Sequence, residues 1–287
     1  MTFNIAIIGD LHSHWDDIDV VQFNRSAYDL LLFTGDLGGG TRESSLRMAK
    51  SLAQLSKDTL VMPGNHDTVS IAELAAELSH RSGSNALAAV RSGSAATPAA
   101  IRLCGFSSHR IVRDAIDVTL ITGRPHSLGG PELAYPEHMA REYRIDSLEA
   151  SQRRLAALVD RAESDRLLFF SHNGPVGLGD APDAMWGCDF RPGGGDWGDP
   201  DLRGAIDYAL AQGREVLAVI GGHMHLRTRC NRERPWLQHH QGVSYVNAAR
   251  VPRIAVGEVD THRHHLAATL TSQGIEVREV FVPQTCA

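Results

Sequence analysis

Five short apolar runs, each ending directly at a cluster of polar residues, restrict the possible folds of this 287-residue chain more than any other feature. Runs of three to five apolar residues with Gly or Pro close behind them are typical of buried β-strands rather than helices. The runs are Ile5–Ile8, Leu30–Phe33, Leu60–Met62, Leu167–Phe170 and Val216–Ile220. We therefore expect five buried strands.

Helical candidates lie between these runs. They are Glu43–Leu55, Ile71–Ser79, Ser147–Glu163 and Asp201–Gln212. The last of them follows Asp199 and Pro200, which supply a capping residue and a proline suited to the first turn. The alternation of strands and helices predicts an α/β architecture with largely parallel strand pairing.

The pattern changes over 243–287, where short strands follow one another without helices and predict antiparallel pairing. The strands expected there are Val243–Val246, Ile254–Val259, Leu266–Thr271 and Ile275–Val282, and earlier ones are Ile101–Phe106 and Val118–Thr122. Two sheets packed face to face with helices outside would hold all of these elements. We expect a single domain over 1–287, in which 83–100, rich in Ser, Ala and Gly, is a flexible loop.

Composition narrows the class of protein. Apolar residues make up 43% and charged residues 22%, which is typical of a globular chain, and no apolar run approaches the length of a membrane span. The net charge of −6 argues against a whole-protein polyanion binder, although it permits a local basic pocket. The sequence begins without a signal-type segment, and its four cysteines are scattered, so we expect a cytoplasmic protein with free thiols.

The polar clusters follow the apolar runs. They are Gly9-Asp10-Leu11-His12, Gly35-Asp36, Gly64-Asn65-His66-Asp67, Ser171-His172-Asn173-Gly174 and Gly221-Gly222-His223-Met224-His225. The carboxyl ends of strands line the functional crevice of an open α/β sheet, so the clusters should converge at one edge. Asp, His and Asn supply oxygen and nitrogen ligands, and no cysteine takes part. These residue types fit a site for two divalent ions, which would require a bridging carboxylate.

The ordered set Asp-x-His, Gly-Asp, Gly-Asn-His-Asp, His and Gly-His-x-His, from Asp10 to His225, resembles the calcineurin-like metallophosphoesterase superfamily. The stretch that begins at His172 is similar to a bacterial and plastid-type subgroup of that superfamily. The resemblance implies an α/β fold, a four-layer sandwich of two mixed β-sheets flanked by helices. It also implies a hydrolase that cleaves a phosphomonoester or phosphodiester by attack of a metal-bridging hydroxide.

The resemblance further implies two divalent metal ions, either Mn, Fe or Zn, and a set of ligands for them. The ligands are Asp10, His12 and His225 for one ion, Asn65, His172 and His223 for the other, and Asp36 between the two. His66 would lie beside the leaving-group oxygen as a general acid or charge stabiliser. Asp67 would orient His66, the alternative being a simple turn carboxylate.

Departures from the superfamily pattern bear on the substrate. Protein phosphatases of this superfamily carry Asp-Arg-Gly after the second motif and Glu after Gly-Asn-His, whereas this chain has Gly38-Gly39-Gly40 and Asp67. We therefore expect a small-molecule phosphate ester or a nucleotide as the substrate, ahead of a protein. A nuclease acting on nucleic acid stays open, and so does a non-catalytic interaction scaffold, which the complete ligand set disfavours.

Four residues are candidates for substrate binding. Arg124 could bind phosphate oxygens in a bidentate manner or form a surface salt bridge. The others, Asn173, Trp186 and Trp197, lie in or next to a Gly-rich segment over 173–200, which we expect on the substrate side. A tryptophan there could stack on a base, although packing onto the body of the protein is its commoner role.

Two further clusters are ambiguous. Four arginines follow the last motif and could form a basic rim, although alternation slightly favours side chains that point to solvent. They are Arg227, Arg229, Arg232 and Arg234. His262, His264 and His265 are expected to be exposed in a turn and unrelated to the site.

Overall fold

The computed structural model describes residues 1–67, 71–79, 100–257 and 261–284. Most of the segment expected as a flexible loop, 83–100, lies outside the described residues. The described helices are α1 (Asp17–Arg25), α2 (Arg42–Leu52), α3 (Ile71–Ser79), α4 (Pro136–Tyr143), α5 (Leu148–Asp160) and α6 (Pro200–Ala211). None of them is long and apolar enough to cross a membrane.

The first sheet contains the strands β1 to β4 and the last three strands of the chain. Their bounds are β1 (Phe3–Ile8), β2 (Leu30–Phe33), β3 (Asp58–Val61), β4 (Ile101–Leu103), β11 (Ile254–Val256), β12 (Thr261–Leu270) and β13 (Ile275–Gln284). Strands β1 to β4 pair in parallel, in sequence order. Strand β12 pairs antiparallel with β1, β11 and β13.

The second sheet has the order β5-β6-β7-β8-β10-β9. Its strands are β5 (Ser108–Arg113), β6 (Ile116–Thr122), β7 (Arg166–Phe170), β8 (Glu215–Gly221), β9 (Leu237–His240) and β10 (Val243–Asn247). Strands β6, β7 and β8 pair in parallel. Strand β10 pairs antiparallel with β9, as we expected for it, and its other edge pairs in parallel with β8, which we did not expect.

The two sheets pack face to face, and the alternation of side chains along each strand explains the layers. Ile5 and Ile7 of β1 point into the core between the sheets, where Leu120 and Phe170 meet them from the second sheet. The alternate residues of β1 point outward and pack beneath α1, α2 and α3. Helices α4, α5 and α6 cover the outer face of the second sheet in the same way. The predicted four-layer sandwich of two mixed sheets flanked by helices is therefore confirmed.

One strand begins earlier than predicted, and two histidines that we expected to be exposed are buried in it. Strand β12 begins at Thr261 and runs through the residues that we expected to form an exposed turn. His264 and His265 are buried in it, His265 being only 2% exposed. The Nε2 atom of His265 lies 2.8 Å from the Tyr28 hydroxyl, and that of His264 lies 3.1 Å from Glu279. Partners distant in the sequence thus allow these polar rings to be buried.

Candidate metal centre

Five turns at the carboxyl ends of strands bring the predicted ligands together. The turns follow the parallel neighbours β1, β2 and β3 in one sheet and β7 and β8 in the other. Ligand atoms lie within 4.8 Å of one another in three overlapping groups: Asp10, His12 and His225; His12, Asp36 and His66; and Asp36, His172 and His223. Because the groups share His12 and Asp36, they form one continuous cluster.

Asp36 lies in the middle of this cluster. Its Oδ2 atom is 3.6 Å from Nε2 of His12, and its Oδ1 atom is 3.6 Å from Nε2 of His172. The backbone N–H of His66 donates to Oδ1 at 2.8 Å and holds the carboxylate in place. Asp36 therefore presents one oxygen to each half of the cluster, the arrangement that a bridging ligand requires.

The remaining donor atoms converge on the same two halves. The Nε2 atoms of His12 and His225 are 3.0 Å apart in one half. In the other half, Oδ1 of Asn65 is 2.9 Å from Nε2 of His172. These distances bring nitrogen and oxygen donors to common points, and this donor set suits Mn, Fe or Zn.

Hydrogen bonds outside the cluster orient two of the donors. Nδ1 of His172 lies 2.7 Å from the carbonyl of Thr34, which can only accept, so this nitrogen carries the proton and Nε2 is directed at Asp36. The hydroxyl of Thr34 donates to Oδ1 of Asp10 at 2.9 Å, and the backbone N–H of His223 donates to Oδ2 at 3.0 Å. Such contacts fix the direction of the ligand atoms.

The electrostatics of the cluster favour a bound cation. Burial, together with the carboxylates of Asp10 and Asp67, raises the pKa of Asp36 to about 8 in spite of the nearby His172. Burial also lowers the pKa of His12 to about 4 and that of His223 to about 3, which leaves both rings neutral near pH 7. The raised pKa of Asp36 means that its charged form lacks a compensating positive charge, which a bound cation would supply, and the neutral rings of His12 and His223 are already in the form that binds metal ions.

The turns that carry the ligands have unusual backbone conformations. His12, Asp36 and His223 have φ angles of 41°, 48° and 67°, in the left-handed region that non-glycine residues seldom occupy. A side chain at Gly222 would place its Cβ 2.4 Å from Oδ1 of Asp10. Strained turns and close backbone approach thus accompany the convergence of the ligands, as is common at functional sites.

His66 and Asp67 follow Asn65 but have different surroundings. The ring of His66 is edge-on to His12, with centroids 5.0 Å apart, and it lines the adjoining cavity. Asp67 accepts hydrogen bonds from the backbone of Leu37 at 3.0 Å and Gly64 at 2.9 Å, and from Ser45 Oγ at 3.2 Å. Asp67 therefore ties two ligand-bearing turns to α2, which fits the second of our two alternatives, a turn carboxylate, rather than a contact with the His66 ring.

A cavity of about 200 Å³ opens beside the cluster. Its lining includes five residues of the cluster, Asp36, Asn65, His66, His223 and His225, and six further residues, Asp189, Phe190, Met224, Arg227, Arg229 and Arg234. Among the described residues, the lining includes none of the four predicted substrate-binding side chains. Three of the four ambiguous arginines line it instead. Arg227 and Arg229 are exposed, as the preference for solvent-directed side chains predicts, whereas Arg234 is buried and contradicts it.

Arg124 and Asn173 hold the segment 173–200 against the second sheet. Arg124 is 1% exposed, and its guanidinium pairs with Asp199 at 2.8 Å and Asp201 at 2.9 Å. Asn173 is buried and donates to the carbonyl of Trp197 at 3.0 Å. Neither of our alternatives for Arg124 was right, because it forms a buried ion pair rather than a phosphate contact or a surface salt bridge.

The two tryptophans also anchor this segment. Trp186 is buried against Gly174, and its Nε1 donates to the carbonyl of Gly222 at 3.3 Å. Nε1 of Trp197 donates to the carbonyl of Leu128 at 2.9 Å. Both tryptophans therefore pack within the protein instead of presenting a ring for base stacking. Phe190, which the sequence did not single out, is the aromatic residue of the segment that reaches the cavity.

A match to a known protein family agrees with this geometry. A family model described as calcineurin-like phosphoesterase matches residues 3–227. One solved structure, 13% identical, covers 97% of this chain and 99% of its own with a TM-score of 0.57, a likeness of fold. A novel archaeal phosphodiesterase, 12% identical, covers 98% and 100% with a TM-score of 0.45. A predicted phosphoesterase from Streptococcus pneumoniae TIGR4, also 12% identical, covers 98% and 99% with a TM-score of 0.30. No curated protein matches the chain.

Proposed function

Because this chain belongs to the calcineurin-like phosphoesterase family, we propose that it is a dinuclear metal-dependent hydrolase of phosphomonoesters or phosphodiesters. The observation that carries the proposal is the position of Asp36, with one oxygen 3.6 Å from Nε2 of His12 and the other 3.6 Å from Nε2 of His172. A carboxylate that faces two groups of donors is suited to hold two ions close together.

The proposed ligand set follows the two halves of the cluster. It comprises Asp10, His12 and His225 on one side, Asn65, His172 and His223 on the other, and Asp36 between them. When bound, the ions would polarise the phosphate ester and lower the pKa of a water molecule that attacks phosphorus. Asp36 would keep both halves in register, and His172 would be held to its tautomer by the Thr34 carbonyl.

His66 has the proposed role of a proton donor to the leaving group. Its ring lies between the cluster and the cavity, next to His12. Its backbone is held by Asp36 at 2.8 Å, so the ring is placed by the same residue that organises the centre. A positioned imidazole can transfer a proton to a departing oxygen and so accelerate cleavage.

The cavity supports a small-molecule or nucleotide substrate. Its volume of about 200 Å³ suits the phosphoryl groups of a small ligand, and the partly exposed Phe190 in its lining lies where the rest of a nucleotide would reach solvent. Gly38, Gly39 and Gly40 stand where protein phosphatases of this superfamily carry Asp-Arg-Gly, which speaks against a protein substrate. A nuclease on the same site and a metal-free scaffold are the alternatives that the experiment must separate.

The test is hydrolysis of paired chromogenic monoesters and diesters by full-length protein loaded separately with Mn²⁺, Zn²⁺ or Fe²⁺. Metal content and activity are measured for the wild type, Asp36→Asn, His66→Ala and the control His239→Ala, which lies on the edge strand β9. We expect Asp36→Asn to lose metal and activity, His66→Ala to lose activity but keep metal, and His239→Ala to keep both.

Two results would overturn the proposal. Protein that binds two ions yet hydrolyses no ester, including a panel of nucleotides and single-stranded nucleic acid, is not a phosphoesterase. Protein that neither binds metal nor turns over any ester is a scaffold. Hydrolysis confined to nucleic acid would replace the small-molecule assignment by the nuclease.

A further inference from the structure

The segment between β8 and β9 carries four arginines that fall into two pairs. Arg232 lies 3.2 Å from Asp183, and Arg234 lies 3.0 Å from Asp189. Arg234 is buried and also donates to the carbonyls of His225, Pro182 and Ala184. These two guanidinium groups are occupied by carboxylates and hold the segment in place.

Arg227 and Arg229 differ from that pair. Both line the cavity beside the metal centre. In the part of the chain that the structure describes, neither forms an ion pair with a carboxylate. Nε of Arg227 donates to the side chain of Asn231, and the backbone N–H of Arg229, not its side chain, donates to Asp189 at 2.7 Å. Both guanidinium groups are therefore available to an anionic ligand.

The charged side chains around the cavity give the part formed by Arg227 and Arg229 a net positive charge. Asp189 also lines the cavity, but Arg234 pairs with it at 3.0 Å and the N–H of Arg229 also bonds to it. The positive charges of Arg227 and Arg229 are therefore not balanced by Asp189. A scissile phosphate at the metal centre would already face its own cations, so these two arginines suit a second anionic group of the same ligand.

An aromatic surface adjoins the two arginines. Phe190 lines the cavity and is 40% exposed. Its ring stands edge-on to Trp197, with centroids 5.5 Å apart, and the guanidinium of Arg229 lies 5.7 Å from its centroid. Trp197 is itself fixed to the Leu128 carbonyl, so the Phe190 ring has a rigid support. An exposed ring next to cationic groups is suited to stack against a planar base.

We propose that the substrate is a nucleoside phosphoanhydride whose second phosphoryl group binds to Arg227 and Arg229 and whose base contacts Phe190. This inference rests on the proposed function and specifies its substrate class. In the reaction, the oxygen of one water molecule bonds to the scissile phosphorus and the anhydride P–O bond breaks. The bridging oxygen keeps the electron pair of the broken bond and leaves as part of the second phosphoryl group, whose added negative charge the two arginines stabilise. The protons of the water pass to the two products.

The test compares ligands that differ by one group. Full-length Mn²⁺-loaded protein is titrated calorimetrically with phosphate, pyrophosphate and ADP at constant free Mn²⁺, and phosphate release from pyrophosphate and ADP is followed in parallel so that turnover is measured separately from binding. The same compounds are used as inhibitors of chromogenic ester hydrolysis. The variants are Arg227→Gln, Arg229→Gln and Phe190→Ala. Arg232→Gln is the matched control, because this arginine lies in the same segment but outside the lining of the cavity.

We expect wild type to bind pyrophosphate at least about tenfold more tightly than phosphate, and each of Arg227→Gln and Arg229→Gln to reduce that ratio by about tenfold. Arg232→Gln should keep the wild-type ratio. Phe190→Ala should weaken ADP but not pyrophosphate. Equal affinity for phosphate and pyrophosphate, or equal ratios in Arg227→Gln, Arg229→Gln and Arg232→Gln, would overturn the second phosphoryl site.

The outcomes separate this inference from the proposed function. Hydrolysis of simple esters without any preference for pyrophosphate would leave the proposed function intact and reject the second site. Tight ADP binding that depends on Arg227 and Arg229, without hydrolysis of ADP or of any ester, would support the second site as a binding site and reject both the proposed function and the reaction.

Discussion

The carboxylate of Asp36 occupies the space that a side chain at Gly64 would need. A Cβ atom at position 64 would lie 2.2 Å from Oδ1 of Asp36 and 2.8 Å from Cε1 of His172. Both contacts are far shorter than van der Waals separation, so any residue other than glycine must displace the central carboxylate. The turn after β3 and the turn after β2 therefore interlock at the point where the proposed bridging ligand lies.

We predict that Gly64→Ala loses at least one metal ion and most of the phosphoesterase activity, because Asp36 must move. Overpacking of this kind costs about 1–3 kcal/mol of folding free energy. Metal analysis and urea unfolding of purified protein measure both effects. Gly39→Ala is the control, since the nearest atom to its Cβ, Ser13 Oγ, is 3.9 Å away. Full metal content and activity in Gly64→Ala would contradict the prediction.

The buried ion pair of Arg124 leads to a second prediction. Arg124→Met leaves the carboxylates of Asp199 and Asp201 buried without their partner, and breaking such a pair costs about 3–5 kcal/mol. The urea midpoint should fall accordingly. Arg110→Met, which breaks an exposed pair with Asp117, should change the midpoint little. A variant of Arg124 with normal stability but weakened substrate binding would instead restore the phosphate-binding role.

Stability should also depend on pH through His265. Burial, with Arg253 and Arg278 nearby, lowers the pKa of this histidine to about 3, whereas in the unfolded chain it takes up a proton near pH 6.5. Between these values the unfolded state binds more protons, so the free energy of unfolding falls as the pH drops, by up to about 1.4 kcal/mol per pH unit.

The measurement is the free energy of unfolding by urea from pH 8 to pH 5. His265→Gln should show a shallower loss below pH 6.5 than wild type. Tyr28→Phe removes the hydrogen-bond partner of the ring but not the titrating group, so it should keep the steeper slope. Identical slopes in wild type and His265→Gln would show that the ring is not kept neutral by burial.

Removal of metal should lower the thermal stability. Ions that bind only the folded cluster stabilise it by about 2.7 kcal/mol each at a free concentration one hundred times the dissociation constant. We therefore expect a chelator to lower Tm in differential scanning calorimetry and excess Mn²⁺ or Zn²⁺ to restore it. Asp36→Asn should respond far less to either treatment. A Tm that is independent of chelator and metal in wild type would contradict metal binding by the cluster.

The site could be predicted well where local pattern decides position. Apolar runs such as Ile5–Ile8 and Leu167–Phe170 must be buried as strands. Because each run is short, the polar residues that follow it lie at the end of its strand. Helix α4 was missed, because it is only eight residues long and has no side-chain cap. Strand β12 was cut short, because histidines in a strand look solvent-exposed until their partners are known.

The sequence by itself determined the α/β class, the order of the motifs and the residues that meet in the candidate metal centre, because burial of apolar strands and the turns behind them are local properties. Only the tertiary structure decided where the longer polar side chains lie and which groups they contact. Arg124 finds Asp199 across 75 residues, and His265 finds Tyr28 across 237. Whether an arginine or a histidine faces solvent, a carboxylate or the cavity depends on such distant partners, because its long or polar side chain is stable in each of these places.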